Sequence, residues 1–162
     1  MKKFVSTALG GTTLGAFAAA IAFAGMAPAS AGEHKDPDKV MPASGVKLMA
    51  DLMGMNEVPG PGDKDGSGIF KARLNPGSGQ MCYEIKVDDI DDTTGAHIHR
   101  GSEGVNGEVV VAFKDLDDGK VSDCLTVTKD LAQEIIRDPG MFYVNVHDTE
   151  HPAGALRGQV MK

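Results

Sequence analysis

The chain has 162 residues, with 16 Lys+Arg against 23 Asp+Glu and a formal charge of −7. That length bounds it to one domain, or one small domain with an appendage. The acidic balance argues against a nucleic-acid binder, and with no Trp and 5% aromatics the chain lacks a base-stacking platform. With 21 Gly and 8 Pro it is rich in turns, which suits many short strands better than long helices.

Residues 1–31 read as a signal peptide. Lys2 and Lys3 form a positive start, residues 4–24 are small, apolar and uncharged, and Ala29-Ser30-Ala31 supplies an A-x-A cleavage site. No second apolar run follows, so the expectation is an exported protein, periplasmic or secreted, with no membrane span once the signal is removed. Roughly 130 residues would remain, enough for one core without a metal to fold it. Export bears on Cys82 and Cys124, which form an even pair for an oxidising compartment and are expected as a disulfide. Closing a loop of roughly 40 residues is worth about 3–4 kcal/mol. The other reading, a thiolate metal or redox pair, lacks a C-x-x-C spacing.

Residues 32–45 are polar and aperiodic and read as a flexible leader. The domain then spans 46–162, where period-two patterns dominate. Val46, Leu48, Ala50 and Leu52 alternate with polar or Met positions; Phe70, Ala72 and Leu74 do the same, as do Tyr83, Ile85 and Val87. Further strands are predicted near 94–99, 108–113, 121–127, 141–147 and 155–161. They are separated by turn signals such as Asn75-Pro76-Gly77, Asn106-Gly107 and Asp118-Gly119. One helix is predicted over 129–137, with Thr128 as N-cap and Leu131, Ile135 and Ile136 on one face. The expected fold is an all-β, antiparallel Greek-key β-sandwich of about eight strands with one short helix.

Three histidines stand at strand positions opposite the apolar face. In Gly95-Ala96-His97-Ile98-His99-Arg100, Ala96 and Ile98 share one face and the histidines the other. Residues i and i+2 of a strand lie about 6.5–7 Å apart and point the same way, so two imidazoles can lean onto one metal at about 2 Å each. In Phe142-Tyr143-Val144-Asn145-Val146-His147, parity puts Tyr143, Asn145 and His147 together. The competing reading is three solvated or hydrogen-bonded strand histidines.

His151 reads either as a fourth ligand or as an exposed loop histidine. Asp148 reads as a hydrogen-bond partner to a ligand imidazole or as a turn residue. If cleavage follows Ala31, Gly32-Glu33-His34 offers an amine, two amides and an imidazole, a square-planar nitrogen set that suits Cu(II). The plainer reading of His34 is a stray histidine in the leader. Met49, Met53 and Met55 fall on the polar parity of the first strand, as thioethers for Cu(I) or as core and interface methionines. The run Asp88-Asp89-Ile90-Asp91-Asp92 reads as a solvated turn or a Ca²⁺ loop without the EF-hand spacing. No nucleophile elbow, P-loop or dinucleotide turn is present.

Three ordered motifs carry a resemblance. Leu52-Met53-Gly54-Met55-Asn56-Glu57-Val58-Pro59 resembles the L-x-G-x-N-E-V-P opening of the CHRD (chordin-type) domain. Residues 95–101 with Gly104-Val105-Asn106-Gly107 resemble its centre. Tyr143-Val144-Asn145-Val146-His147 with Leu156-Arg157-Gly158-Gln159-Val160 resembles its end. The resemblance covers about 46–162 and implies a β-sandwich in a secreted setting.

More distantly, the chain is similar to the copper half of Cu/Zn superoxide dismutase. That similarity implies that His97, His99 and His147 match three copper ligands, and that Arg157 matches a substrate-guiding arginine. The bridging histidine and zinc loop have no counterpart, so it implies a mononuclear copper site. The functional expectation is therefore an exported CHRD-domain protein binding one copper ion, for extracytoplasmic metal handling or redox protection, and more a binding protein than an enzyme. Two rivals stand beside it: a metal-free module for a protein partner, and a weak copper-only dismutase.

Overall fold

Alternation of apolar and polar residues decides which face of each strand meets the core. The computed structural model describes residues 44–162; the expected signal peptide and most of the expected leader, His34 included, lie outside the described residues. The strands are β1 (Val46–Met53), β2 (Ser67–Leu74), β3 (Gln80–Asp88), β4 (Thr93–Arg100), β5 (Val109–Ala112), β6 (Lys120–Thr126), β7 (Phe142–Asp148) and β8 (Leu156–Gln159). A helix α1 (Lys129–Arg137) joins β6 to β7. The hydroxyl of Thr128 accepts the Leu131 amide, so the helix starts at its expected cap. Ala132 and Ile135 are buried beneath it. No helix among the described residues is long and apolar enough to cross a membrane.

The eight strands pair in the order β5-β4-β7-β8-β1-β2-β3-β6, every pairing antiparallel. The chain runs β1-β2-β3 in one half, crosses to β4-β5, returns for β6 and crosses again for β7-β8. That is the Greek-key exchange expected for a sandwich. Between β8 and β1 the halves meet along a narrow seam, the register pair Met53↔Arg157 and the bridge Met49↔Met161. Their apolar faces close on one another. Phe113, just past β5, lies 5.6 Å from the ring of Phe70 on β2 and 4.4 Å from that of Tyr83 on β3. The Tyr83 hydroxyl accepts the Lys114 amide across the same gap.

Leu48, Ala50, Leu52, Phe70, Ile85, Ile98, Val144 and Leu156 belong to one continuous core. The inward set on β1, β4 and β7 is the one strand parity predicts, and this fixes which side chains face outward.

Cys82 and Cys124 stand directly opposite one another on β3 and β6 and are joined as a disulfide. The bond pins edge strand β6 to its neighbour and closes a loop spanning 42 positions. Replacing both cysteines with alanine should lower unfolding free energy by about 3–4 kcal/mol in urea titrations. A loss below about 1 kcal/mol would show that the denatured chain is little constrained by the crosslink.

Candidate metal centre

Because Ala96 and Ile98 point into the core, His97 and His99 project from the other side of β4. Strand β7 lies alongside with Gly95↔His147, His97↔Asn145 and His99↔Tyr143 in register. His147 is thus the diagonal neighbour of His97. The residue facing it is Gly95, where an added Cβ would meet Cε1 of His97 at 3.4 Å, an ordinary contact. One ligand atom from each of His97, His99 and His147 lies within 4.8 Å of the other two. The His97 ring is edge-on to both partners, 5.8 Å from His99 and 5.2 Å from His147 between centroids. An ion bonded at about 2 Å needs donors about 3–4 Å apart, which a small inward tilt of the rings supplies.

Backbone carbonyls choose the tautomers. Nδ1 of His99 lies 2.9 Å from the Gly107 carbonyl, and Nδ1 of His147 lies 3.1 Å from that of Pro152. A carbonyl only accepts, so each Nδ1 carries a proton and it is Nε2 that each ring turns to the cluster as the atom able to ligate. Nε2 of His99 and Nδ1 of His97 are buried without any hydrogen-bond partner. Buried polar atoms normally find one, and two ring nitrogens left without a partner beside a third imidazole suit a metal ion. Burial, then the neighbouring imidazoles His147 and His99, holds the pKa of His97 below its ordinary value. Burial lowers that of His147 too, the Pro152 carbonyl acting against it. Both rings are therefore neutral near pH 7 and ready to ligate.

The outer face around this cluster is roofed. Two loops cover it: residues 54–66 between β1 and β2, and residues 101–108 between β4 and β5. Arg157, on β8, is 2% exposed beneath them. Its guanidinium lies 3.5 Å over the Tyr143 ring. It donates to the Asn106 side chain at 2.9 Å and to the Val105 and Ser102 carbonyls at 2.8 and 3.3 Å. Tyr143 in turn stacks on His99 at 4.8 Å, and its hydroxyl accepts the Gly107 amide. Gly107 has no room for a side chain, since a Cβ would fall 1.5 Å from the Arg100 carbonyl oxygen. Asn106 donates to the Val58 carbonyl, tying the two loops together. Asn145 donates to the Glu57 carboxylate, and both residues are buried. Burial raises the Glu57 pKa to about 7, against the opposing pull of Arg157.

The other expected site residues divide. His151 is not part of the three-histidine cluster; it converges instead with Asp63 and Asp148. Asp148 bonds to His151, whereas the orienting partner of His147 is the Pro152 carbonyl. The donors of Arg157 go to the β4–β5 loop, and its link to the histidines runs through Tyr143. Met49, Met53 and Met55 are 38, 46 and 76% exposed, so none is a core methionine. Among the described residues only two groups of His, Cys, Asp or Glu converge closely enough to hold an ion, and the Asp88–Asp92 run is in neither.

Sequence reasoning overlooked the roles of Glu57, Asn106 and Asn145: Asn145 falls on the outward parity of β7, and Glu57 and Asn106 lie in loops, where no strand pattern applies. Asp63 was missed because it is one acidic residue in a Pro/Gly-rich loop.

A comparison with protein families matches the CHRD domain over residues 48–160. The match covers well over half of the chain and contains all three motifs, so the chain belongs to the CHRD-domain family. Neither the curated proteins nor the solved structures give a match.

Glu57 supplies a signed pH prediction. Its folded pKa lies above its unfolded value, so its contribution is fully present below pH 4.5 and is lost as pH rises through about 7. Glu57→Gln removes that loss while keeping an acceptor for Asn145. Between pH 4.5 and pH 8, unfolding free energies of the variant should gain on wild type by on the order of 3 kcal/mol. A pH-independent difference would show that the carboxyl is not desolvated in the folded protein.

Proposed function

We propose that this CHRD-domain protein binds one copper ion through His97, His99 and His147 outside the cytoplasm, serving metal handling or redox protection. The observation that carries this reading is the pair of buried, partnerless nitrogens, His97 Nδ1 and His99 Nε2, beside the third imidazole. Three imidazole nitrogen donors without a carboxylate select against Mg²⁺ and Ca²⁺. Between the ions that favour imidazole, the affinity order of divalent metals puts copper above zinc. Bound copper would supply a one-electron redox couple. The chain's own residues do the rest: the Gly107 and Pro152 carbonyls aim two rings, Tyr143 backs His99, and the roofing loops limit water. The family and the Cys82–Cys124 bond are both compatible with an exported protein.

Exposed methionines favour a second reading, a surface for a protein partner. Met49 and Met161 pair across the seam between the halves, and Met53 lies on the same face of β1. A partner that binds with equal affinity in chelator and to His97→Ala/His99→Ala would support that module instead.

The test is a Cu(II) titration of the full chain and of its His34→Ala variant, followed by paramagnetic resonance. One tight equivalent with nitrogen couplings is expected in both, and it should be lost in His97→Ala/His99→Ala. Unchanged affinity in the double variant would overturn the assignment. Protons compete for the same nitrogens, so copper affinity should fall as pH drops through the range in which imidazoles take up protons. An affinity flat across that range would mean that imidazoles are not the ligands.

A further inference from the structure

A second convergence of ligand atoms lies away from the three histidines. Asp148 ends β7 on the inward parity, beside Val146 and Val144, and its side chain is wholly buried. Its carboxylate accepts the His151 amide at 2.5 Å and faces Nδ1 of His151 at 3.0 Å. Asp63, from the β1–β2 loop, uses one carboxylate oxygen to accept the amides of Asp65 and Gly66, each at 3.0 Å. One donor atom from each of Asp63, Asp148 and His151 lies within 4.8 Å of the others.

Two features set this group apart from a chance acidic turn. The first is charge: no Lys or Arg forms an ion pair with either carboxylate among the described residues, and the one group paired with Asp148 is the imidazole of His151, itself a candidate ligand. A carboxylate removed from water beside a second one is costly unless a positive charge stands between them. The second is pre-organisation. The Asp63 amide donates to the Ala155 carbonyl, the Ala155 amide to that of Val146, and the Gly154 amide to that of His151. Backbone bonds thus hold the two loops that carry the donors against the end of β7.

We infer that Asp63, Asp148 and His151 form a separate site for one divalent cation, with Zn²⁺ the best match. Two carboxylate oxygens and an imidazole nitrogen are ordinary zinc ligands, and water completes the sphere on the exposed side of His151. The mixed oxygen–nitrogen set is too hard for Cu(I) and differs from the all-imidazole set on the opposite face of β7. His147 and Asp148 are consecutive, so one strand presents a ligand to each site on its two faces. The inference does not depend on copper at the other cluster.

The test removes the first site and asks whether zinc still binds. The full chain carrying His34→Ala, His97→Ala and His99→Ala is titrated calorimetrically with Zn²⁺ near neutral pH. The same chain with Asp63→Asn and His151→Ala added is titrated beside it. One equivalent and a zinc-dependent rise in Tm are expected in the first chain, and their loss in the second. No binding in the first chain, or equal binding in both, overturns the inference and leaves a His151 imidazolium between the two carboxylates as the compensating charge. Should the multiple variants fail to fold, the chain with its histidines intact and preloaded with one equivalent of Cu(II) is compared with its Asp63→Asn variant. A zinc-dependent rise in Tm that disappears with Asp63→Asn supports the site, and a rise common to both chains overturns it.

Discussion

A single buried guanidinium organises the outer face of this sandwich. Arg157 is 2% exposed, and its charge is balanced by stacking on Tyr143 and by hydrogen bonds to three groups of the β4–β5 loop. A planar fork of donors suits this task as an ammonium would not, because it can stack and reach several acceptors at once. Removing it would strand those acceptors and free the loop. The face would then revert to the solvated outer surface that antiparallel sheets usually present.

Segments far apart in the chain depend on that constraint. Asn56 donates to the Arg157 carbonyl, Asn106 to that of Val58, and Asn145 to Glu57, so the three family motifs meet in one polar network that is buried at Asn145 and Glu57. Such a network rigidifies when its members are satisfied. Here it stops at the histidines, two of whose nitrogens have no partner. The contrast between a satisfied roof and an unsatisfied cluster is the physical basis for placing an ion there. Electrostatics fit the same division. Neutral imidazoles are favoured above their ordinary pKa, a protonated Glu57 below about 7, so the two groups pull stability in opposite directions with pH.

The strands whose faces alternate cleanly, β1 and β4 among them, were the most legible. Leu48/Ala50/Leu52 and Ala96/Ile98 leave no doubt about facing, and Thr128 marks the helix start. The same parity put His97, His99 and His147 on one side of β4 and β7. What parity cannot convey is whether that side is wet, since burial there comes from loops 54–66 and 101–108 rather than from a second sheet. Glu57 and Asn145 therefore look like surface residues in the sequence. Arg157, expected to face a ligand, directs its donors to the β4–β5 loop. The pairing of Asp63 with Asp148 and His151 was illegible because it joins loops about 85 residues apart, a distance that no local pattern spans.

The central claim is that carbonyls hold His99 and His147 with Nε2 free to ligate before any metal arrives. Long-range nitrogen NMR of the imidazoles, on the metal-free protein near pH 7, tests this directly. The account predicts single Nδ1–H tautomers for His99 and His147, with unprotonated Nε2 resonances that are lost or shifted by one equivalent of copper. Nε2–H tautomers, or the averaged signals of freely exchanging imidazoles, would contradict it.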